Sequence, residues 1–290
     1  MRKVKKLVLW SFAWFILTMA GSAAAASPAV DVDPKATVTD AFQQFRLLKN
    51  YHLSLTGVTE MTVQSKAIHV FMQGECDVEV KPLKMKNAIA IEATVDGKAT
   101  RQKTLQFMEE QDKDLVIYTQ ADGNWYKQSI PYTDPLADYD NYFKAIKAVE
   151  IVRETPVERS FAVTIDGSYL QQDIERTLAA GGLVKAKIPA ELFQGLGDFT
   201  YNVTIDRRTG AISRFDMDIS ALMAVIGENI LMSGTVPDVQ KAQLAEMFRS
   251  MKITTAVMVT NPNRIAKVVI PPEAQNTPLR QLVKEEPPQT

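Results

Sequence analysis

Apolar residues in this chain keep two different periods. Near the start, Val38, Ala41, Phe42, Phe45 and Leu48 fall three or four apart, which gives one helix an apolar stripe. Thr37 or Thr39 is placed to cap its start and Asn50 to stop it. From there the period drops to two. Tyr51, Leu53 and Leu55 alternate with polar residues, as do Ile68, Val70 and Met72, then Ile89, Ile91, Ala93 and Val95, then Leu105 and Phe107. Residues 115–119 and 125–130 continue the pattern. Alternation is what a strand with one buried face requires, because successive side chains point to opposite sides. Pro82, Asp96-Gly97 and Asp122-Gly123-Asn124 lie between these runs, and Asp-Gly supplies the positive φ that tight hairpins need. The expectation is an antiparallel meander of about six strands.

Helical spacing returns in the middle. Asp134 is placed as a cap, Pro135 takes the first helical position, and Leu136, Tyr139, Phe143 and Ile146 form a stripe. Residues 160–166 read as a strand. A second helix starts at Ser168 with Gln171 as its capping-box partner, carries Leu170, Ile174 and Leu178, and stops at Gly181-Gly182. Tyr201, Val203 and Ile205 then alternate, residues 206–210 turn, and Ala211, Phe215, Met217 and Ile219 return as a hairpin. An almost wholly apolar segment follows at 221–232, then an amphipathic helix from near Pro237 with Val239, Leu244, Met247, Phe248 and Met251. Two closing strands, 253–260 and 265–270, flank the turn 261–263. Strands thus occur before, between and after the helices, and short turns join most of them. This predicts an α+β fold: a single antiparallel β-sheet of about ten strands, strongly curved, with helices packed in the concave face.

The ends of the chain read differently. Arg2, Lys3, Lys5 and Lys6 precede an apolar run at 7–19 and the small residues 21–26, the order of a secretory signal peptide over 1–26 with cleavage after Ala24 or Ala26. The run falls short of the roughly 20 residues that span a bilayer, so membrane contact is expected only as an uncleaved signal or as a transient encounter. Residues 27–36 lack periodicity and read as a flexible leader, 37–275 as one folded domain, and 276–290 as a disordered Pro-rich tail. The expected location is outside the cytoplasm, in a periplasm or an extracellular or cell-wall space. Without the four leading cations the formal charge falls from −1 to −5, and no basic stripe remains to hold nucleic acid. The single cysteine, Cys76, alternates with Gly74, Val78 and Val80, which reads as a buried structural thiol.

Catalytic signals are missing. His52 and His69 lie on the polar phase of their strands, and the acidic groups Glu109-Glu110-Asp112-Asp114 and Asp206, Asp216 and Asp218 read as solvated charge. No nucleophile elbow, phosphate loop or zinc-binding helix motif occurs. The expectation is a protein that is not an enzyme and has no catalytic residue, metal or cofactor.

Four segments carry a resemblance: Leu47-Leu48-Lys49-Asn50-Tyr51-His52-Leu53, the D-G-N-W-Y-K run at 122–127, the 201–219 hairpin around I-D-R-R-T-G, and V-V-I-P-P-E-A at 268–274. In their order the mature chain resembles exported bacterial proteins of the LolA-like superfamily, which includes lipoprotein carriers and LppX/LprG-type lipid-binding lipoproteins. Within that group it looks most like a family of secreted proteins with no established activity. The resemblance implies a half-open barrel, filled by helices, whose apolar interior takes a lipid or a lipoprotein acyl chain. A carrier or sensor of a hydrophobic ligand in the cell envelope would then be lined by Phe107, Phe215, Met217, Leu222, Met223 and Ile226. Unlike the lipoprotein members, this chain has no cysteine at the signal cleavage site. The alternative is a module for protein interaction or envelope stress, binding an envelope protein through a sheet edge or the Trp125-Tyr126 hairpin.

Overall fold

The computed structural model describes residues 33–132, 139–180, 190–234 and 236–279, with the side chains of 139, 175–180 and 190 excepted. The signal segment, most of the leader, Asp134 to Leu136, the Gly181-Gly182 stop and the tail beyond Leu279 lie outside the described residues.

Helix α1 runs Pro34–Phe45. It starts earlier than Thr37 or Thr39 because Asp33 caps it, its carboxylate accepting from Lys35 N at 2.9 Å, and Pro34 costs no hydrogen bond at a helix start. Residues 34–36, expected in the leader, are therefore helix. The Thr37 hydroxyl donates back to the Asp33 carbonyl at 3.1 Å.

Six hairpin-linked strands follow: β1 Asn50–Val63, β2 Lys66–Glu79, β3 Lys84–Val95, β4 Lys98–Gln111, β5 Asp114–Ala121 and β6 Asn124–Pro131. Helix α2, Tyr139–Ala145, leads into β7 Ile146–Glu154 and β8 Glu158–Ile165. Helix α3, Gly167–Ala180, and a short 3-10 turn, Ala190–Phe193, separate β8 from β9 Phe199–Asp206 and β10 Ile212–Asp218. Helices α4 Ser220–Met232 and α5 Asp238–Ser250 precede β11 Lys252–Thr260, and a last turn of helix, α6, covers Pro272–Gln275. The strands form one antiparallel sheet of eleven in the order β6-β5-β4-β3-β2-β1-β11-β10-β9-β8-β7. It is thus two meanders, β1–β6 and β7–β11, joined where β1 pairs with β11 from His52↔Thr260 to Glu60↔Lys252.

Period two assigns the faces. Leu53, Cys76, Asn87 and Val259 are register partners across β3, β2, β1 and β11 and share one face. Phe215, Val203 and Phe161 continue it on β10, β9 and β8. Val38, Ala41, Phe42 and Phe45 of α1 and Leu170 of α3 belong to the same buried cluster, with Tyr142 and Phe143 of α2 packed against it. The Phe42 ring, 1% exposed, lies 5.5 Å from Tyr142, 6.3 Å from Phe143 and 5.9 Å from Phe215. A second, smaller cluster lies on the opposite face, where Val268, Ile270 and Ala274 cover Phe107, Val116 and Tyr118.

Three expectations need correction. Ile146 opens β7 instead of closing a helical stripe, and β7 carries no clean alternation to read. It is an edge strand with one neighbour, and bulges at Ile146/Ala148 and Ile151/Arg153 slip its phase. Residues 265–270 alternate, but they form no strand: the chain crosses the opposite face, with Ile265 N donating to Asn50 Oδ1 at 3.0 Å and Val268 N donating to the Glu79 carboxylate. The second middle helix is capped by Asp166, which accepts from Ser168 N at 2.8 Å and Tyr169 N at 3.3 Å, not by Ser168. Of the tail expected from 276 onward, Leu279 bridges Lys127 on β6.

Phe42 fills the junction of α1, α2 and β10. Phe42→Ala should cost about 3–5 kcal/mol of unfolding free energy, read from the denaturant midpoint, because three rings lose their common neighbour.

Candidate functional site

The turns β1–β2 and β3–β4 lie at one end of the sheet, since Ile68 pairs with Val95. Helices α4 and α5 reach the same end, leaving β10 after Asp218 and rejoining β11 at Lys252, the partner of Glu60. On the helix-bearing face here, Val70, Ile89, Ile91 and Ala93 of β2 and β3 are only half-buried, while Met72 beside them is closed.

Helix α4 is apolar on nearly every side, S-A-L-M-A-V-I-G-E-N-I-L-M, yet Gly227 is its one buried residue. Leu222, Met223, Val225, Ile226, Ile230 and Leu231 are half-buried, and Met232 is 74% exposed. A helix apolar all round ordinarily belongs inside a core or a membrane. Here it sits at the rim of the core, with Leu222 packed against the main cluster.

Three contacts hold α4 and α5 there. A Cβ at Gly227 would stand 2.2 Å from Cγ of Phe248, so the two helices meet backbone to ring. Asn229 Nδ2 donates to the carbonyls of Leu192 at 3.0 Å and Gln194 at 2.8 Å. Glu246 on α5 accepts from Gln64 N at 3.0 Å and Ser65 N at 3.3 Å. Gln64 and Ser65 have φ of 52° and 60°, the left-handed pair that a two-residue hairpin needs, and they adopt it without glycine. Ser250 Oγ accepts from Thr62 N at 2.8 Å and extends the tie.

The six lining residues anticipated from the sequence do not come together. Leu222, Met223 and Ile226 share the half-open helix α4. Phe215, 1% exposed, is sealed beneath α1 with its ring 6.1 Å from Phe45, and Met217 is likewise closed. Phe107 is on the other side of the sheet, its ring 6.0 Å from Trp125. Odd and even residues of one strand face opposite ways, and Met108, not Phe107, shares the helix face with Met85. Ile89 and Ile91 were legible as one face of a strand, but nothing in their spacing marks that face as half-open.

The ionisable clusters are internally saturated. His52 lies between two carboxylates on the polar face, Nδ1 to Asp77 at 2.7 Å and Nε2 to Glu75 at 2.8 Å, and Ser54 Oγ donates to the same Glu75 oxygen at 2.8 Å. Ser54 therefore points at a carboxylate and not at the imidazole, which is not the geometry of a nucleophile and its base. Glu109 is buried, not solvated: it accepts from the Tyr118 hydroxyl at 2.8 Å and pairs with Lys84 at 3.4 Å. Burial first and this hydrogen bond second push the Tyr118 hydroxyl well above the usual phenol range. Lys147 bridges Asp166 at 2.9 Å and Asp198 at 2.8 Å, and both carboxylates are held low, Asp166 chiefly by the Ser168 hydroxyl and Asp198 chiefly by Lys147. These two acids fasten the start of α3, Asp198 accepting from Gly167 N at 3.1 Å. The Cys76 thiol is pushed up by burial, which keeps it protonated and inert. No group of three or more metal-ligating side chains is gathered among the described residues. No helix among them is long and apolar enough to cross a membrane. No family model matches the chain, and no curated protein matches it in sequence.

Two outcomes follow. Burial lowers the His52 pKa, but the hydrogen bonds to Asp77 and Glu75 and their charges outweigh it, so the folded value is raised above 6.5. The stabilisation by His52 is therefore full below pH 6.5 and is lost as pH rises through the folded pKa. The stability gap between the native chain and His52→Gln should shrink as pH is raised from about 6 to about 9, measured by urea unfolding; a gap that widens would refute the pairing. At the helix contact, Gly227→Ala should cost about 1–3 kcal/mol by overpacking against Phe248. In a Phe248→Ala background the cost should fall but not vanish, since the ring is gone while the Cβ of residue 248, 2.6 Å from the added Cβ, remains.

Proposed function

We propose that this chain is a non-catalytic, exported carrier or sensor that holds a hydrophobic ligand, a lipid or acyl chain, at the end of the sheet where α4 and the half-open face of β2 and β3 both lie. The observation that carries the reading is α4, the most apolar helix described, held by specific contacts in a place where its side chains stay half-open. Leaving so many apolar side chains against water forgoes about 25 cal/mol for every Å² not buried. A ligand that covers them recovers it.

The same reading takes the sheet to be a LolA-like half-open barrel with its helices on the concave side. Chain length supports the bend. The outer strands β6 and β7 are ten spacings apart, about 48 Å in a flat sheet. The link from Pro131 to Ile146 includes α2, Tyr139–Ala145, and reaches about 40 Å even with the rest fully extended. This shortfall supports a bent sheet, whose edges come within reach of the link.

The interaction-module reading has one observation in its favour, on the sheet edge. Ile151, Val152 and Val157, on β7 and in its turn to β8, are exposed at 44%, 55% and 65%. The Trp125-Tyr126 hairpin favours it less, because Trp125 packs internally against Phe107.

Native mass spectrometry of the protein purified from its own host without detergent should show a discrete adduct that organic extraction identifies as a lipid. Met223→Trp should abolish the adduct while the fold, followed by circular dichroism, is kept. A clean unliganded mass, with no uptake from added envelope lipids, would sink the carrier reading in favour of the β7 edge.

A further inference from the structure

Asn87 is 7% exposed on the helix-bearing face of β3, and its Oδ1 is buried with no hydrogen-bond partner. Its position is specific. Along the strand, Met85 on one side is sealed in the core and Ile89 on the other is half-buried in the open stretch. Across the sheet, Asn87 is the register partner of Cys76 on β2 and of Gln106 on β4, and Gln106 in turn of Thr119 on β5. Gln106 donates one of its two amide N–H groups to Thr119 Oγ1 at 3.1 Å, and neither reaches Asn87 Oδ1. A short polar row of two amides and a hydroxyl thus crosses the helix-bearing face at the seam between closed core and open stretch, where Ile89 and Ile91 have Thr104 and Gln102 as their partners on β4. A buried acceptor without a donor is a standing cost to the folded chain, which a ligand hydroxyl or amide N–H can remove.

We infer that the ligand is a neutral amphiphile whose polar group donates a hydrogen bond to Asn87 Oδ1 while its alkyl chain lies along Ile89 and Ile91 toward the end of the sheet that α4 reaches. The inference rests on the carrier reading and adds the chemistry of the head group. The row offers amides and a hydroxyl and no charge, so it selects by hydrogen bonding.

Two probes with the same acyl chain separate the claims: monopalmitoylglycerol, which carries hydroxyl donors, and methyl palmitate, which carries none. Each is titrated into the delipidated full chain and into Asn87→Leu, with bound fractions read by native mass spectrometry. The native protein should prefer monopalmitoylglycerol by about ten-fold, the worth of one good hydrogen bond. Asn87→Leu should bind both probes equally, keep its affinity for methyl palmitate, and melt at a higher temperature when ligand-free, since the orphaned acceptor is gone. Equal binding of the two probes by the native protein, or an undiminished preference in Asn87→Leu, overturns the assignment of Asn87 and leaves the carrier reading standing. Failure of the native protein to bind either probe overturns both.

Discussion

The architecture depends on one pairing, β1 with β11. Within each meander every strand pairs with its neighbour in sequence, across short turns in the first and across intervening helices at β8–β9 and β10–β11 in the second. The nine register pairs between His52–Glu60 and Lys252–Thr260 join segments about two hundred residues distant and turn two sheets into one. Closing so long a loop is entropically expensive, although the cost grows only logarithmically with length. Apolar pairing across the seam offsets it. Leu53 meets Val259 and Leu55 meets Val257 on the face that α1 covers, and Asn263 ties the seam's end, its N–H donating to the Asn50 carbonyl at 2.7 Å and its Oδ1 accepting from Lys49 N at 2.6 Å. Contacts of such separation make for slow folding, so α1 and the β1–β2 hairpin are natural early structures against which β11 arrives late.

That seam also decides where the helices go. All six β1–β6 strands are joined by short turns, so the first meander brings no helix of its own. The second carries α3 between β8 and β9, and α4 with α5 between β10 and β11. Helix contacts on the common face accordingly fall on β1, β7 and β9–β11. β2 and β3 lie just beyond the seam, past the β1 strand that α5 rests on, and their apolar face stays half-open there. An open apolar stretch is the consequence of placing the helices in one meander and the longest strands in the other.

Much of this was legible from period alone, and what was missed had physical reasons. The six early strands and the 201–219 hairpin follow the sequence periodicity because apolar and polar positions alternate and a turn signal ends each; α5 forms where expected, but Val239 of its expected stripe is 88% exposed and Phe248 is its one buried residue. β7 escaped because an edge strand with two bulges has no consistent inward face. Residues 265–270 alternate as a strand does, yet the N–H groups of Ile265 and Val268 go to the side chains of Asn50 and Glu79 and not to a neighbouring strand, a long-range arrangement no local pattern announces. Glu109 looked solvated because it lies in an acidic run; it is the facing Tyr118 and Lys84, on other strands, that bury and hold it. Phe107 illustrates the limit of reading faces: alternation tells that neighbours diverge, but not which of two covered faces each enters.

The presence of two covered faces bears on where a ligand can sit. The C-terminal segment closes the outer face over Phe107, Val116 and Tyr118 with its own Val268, Ile270 and Ala274. On the inner face, α1 closes the sheet over Phe215 just as fully. Both sealed regions are bought with aromatic side chains packed ring against ring, and opening either would expose several rings at once. Helix α4 and the half-open stretch of β2 and β3, at one end of the sheet, have a different composition: leucine, isoleucine, valine, methionine and alanine, with glycine bringing α4 close to α5 and the polar row at Asn87 bordering the stretch. Unbranched and aliphatic side chains repack at small cost, so they suit a surface whose occupant changes. Rigid aromatic closure on either side and adaptable aliphatic surface at the rim are complementary, since the first holds the frame still while the second would accommodate the proposed ligand.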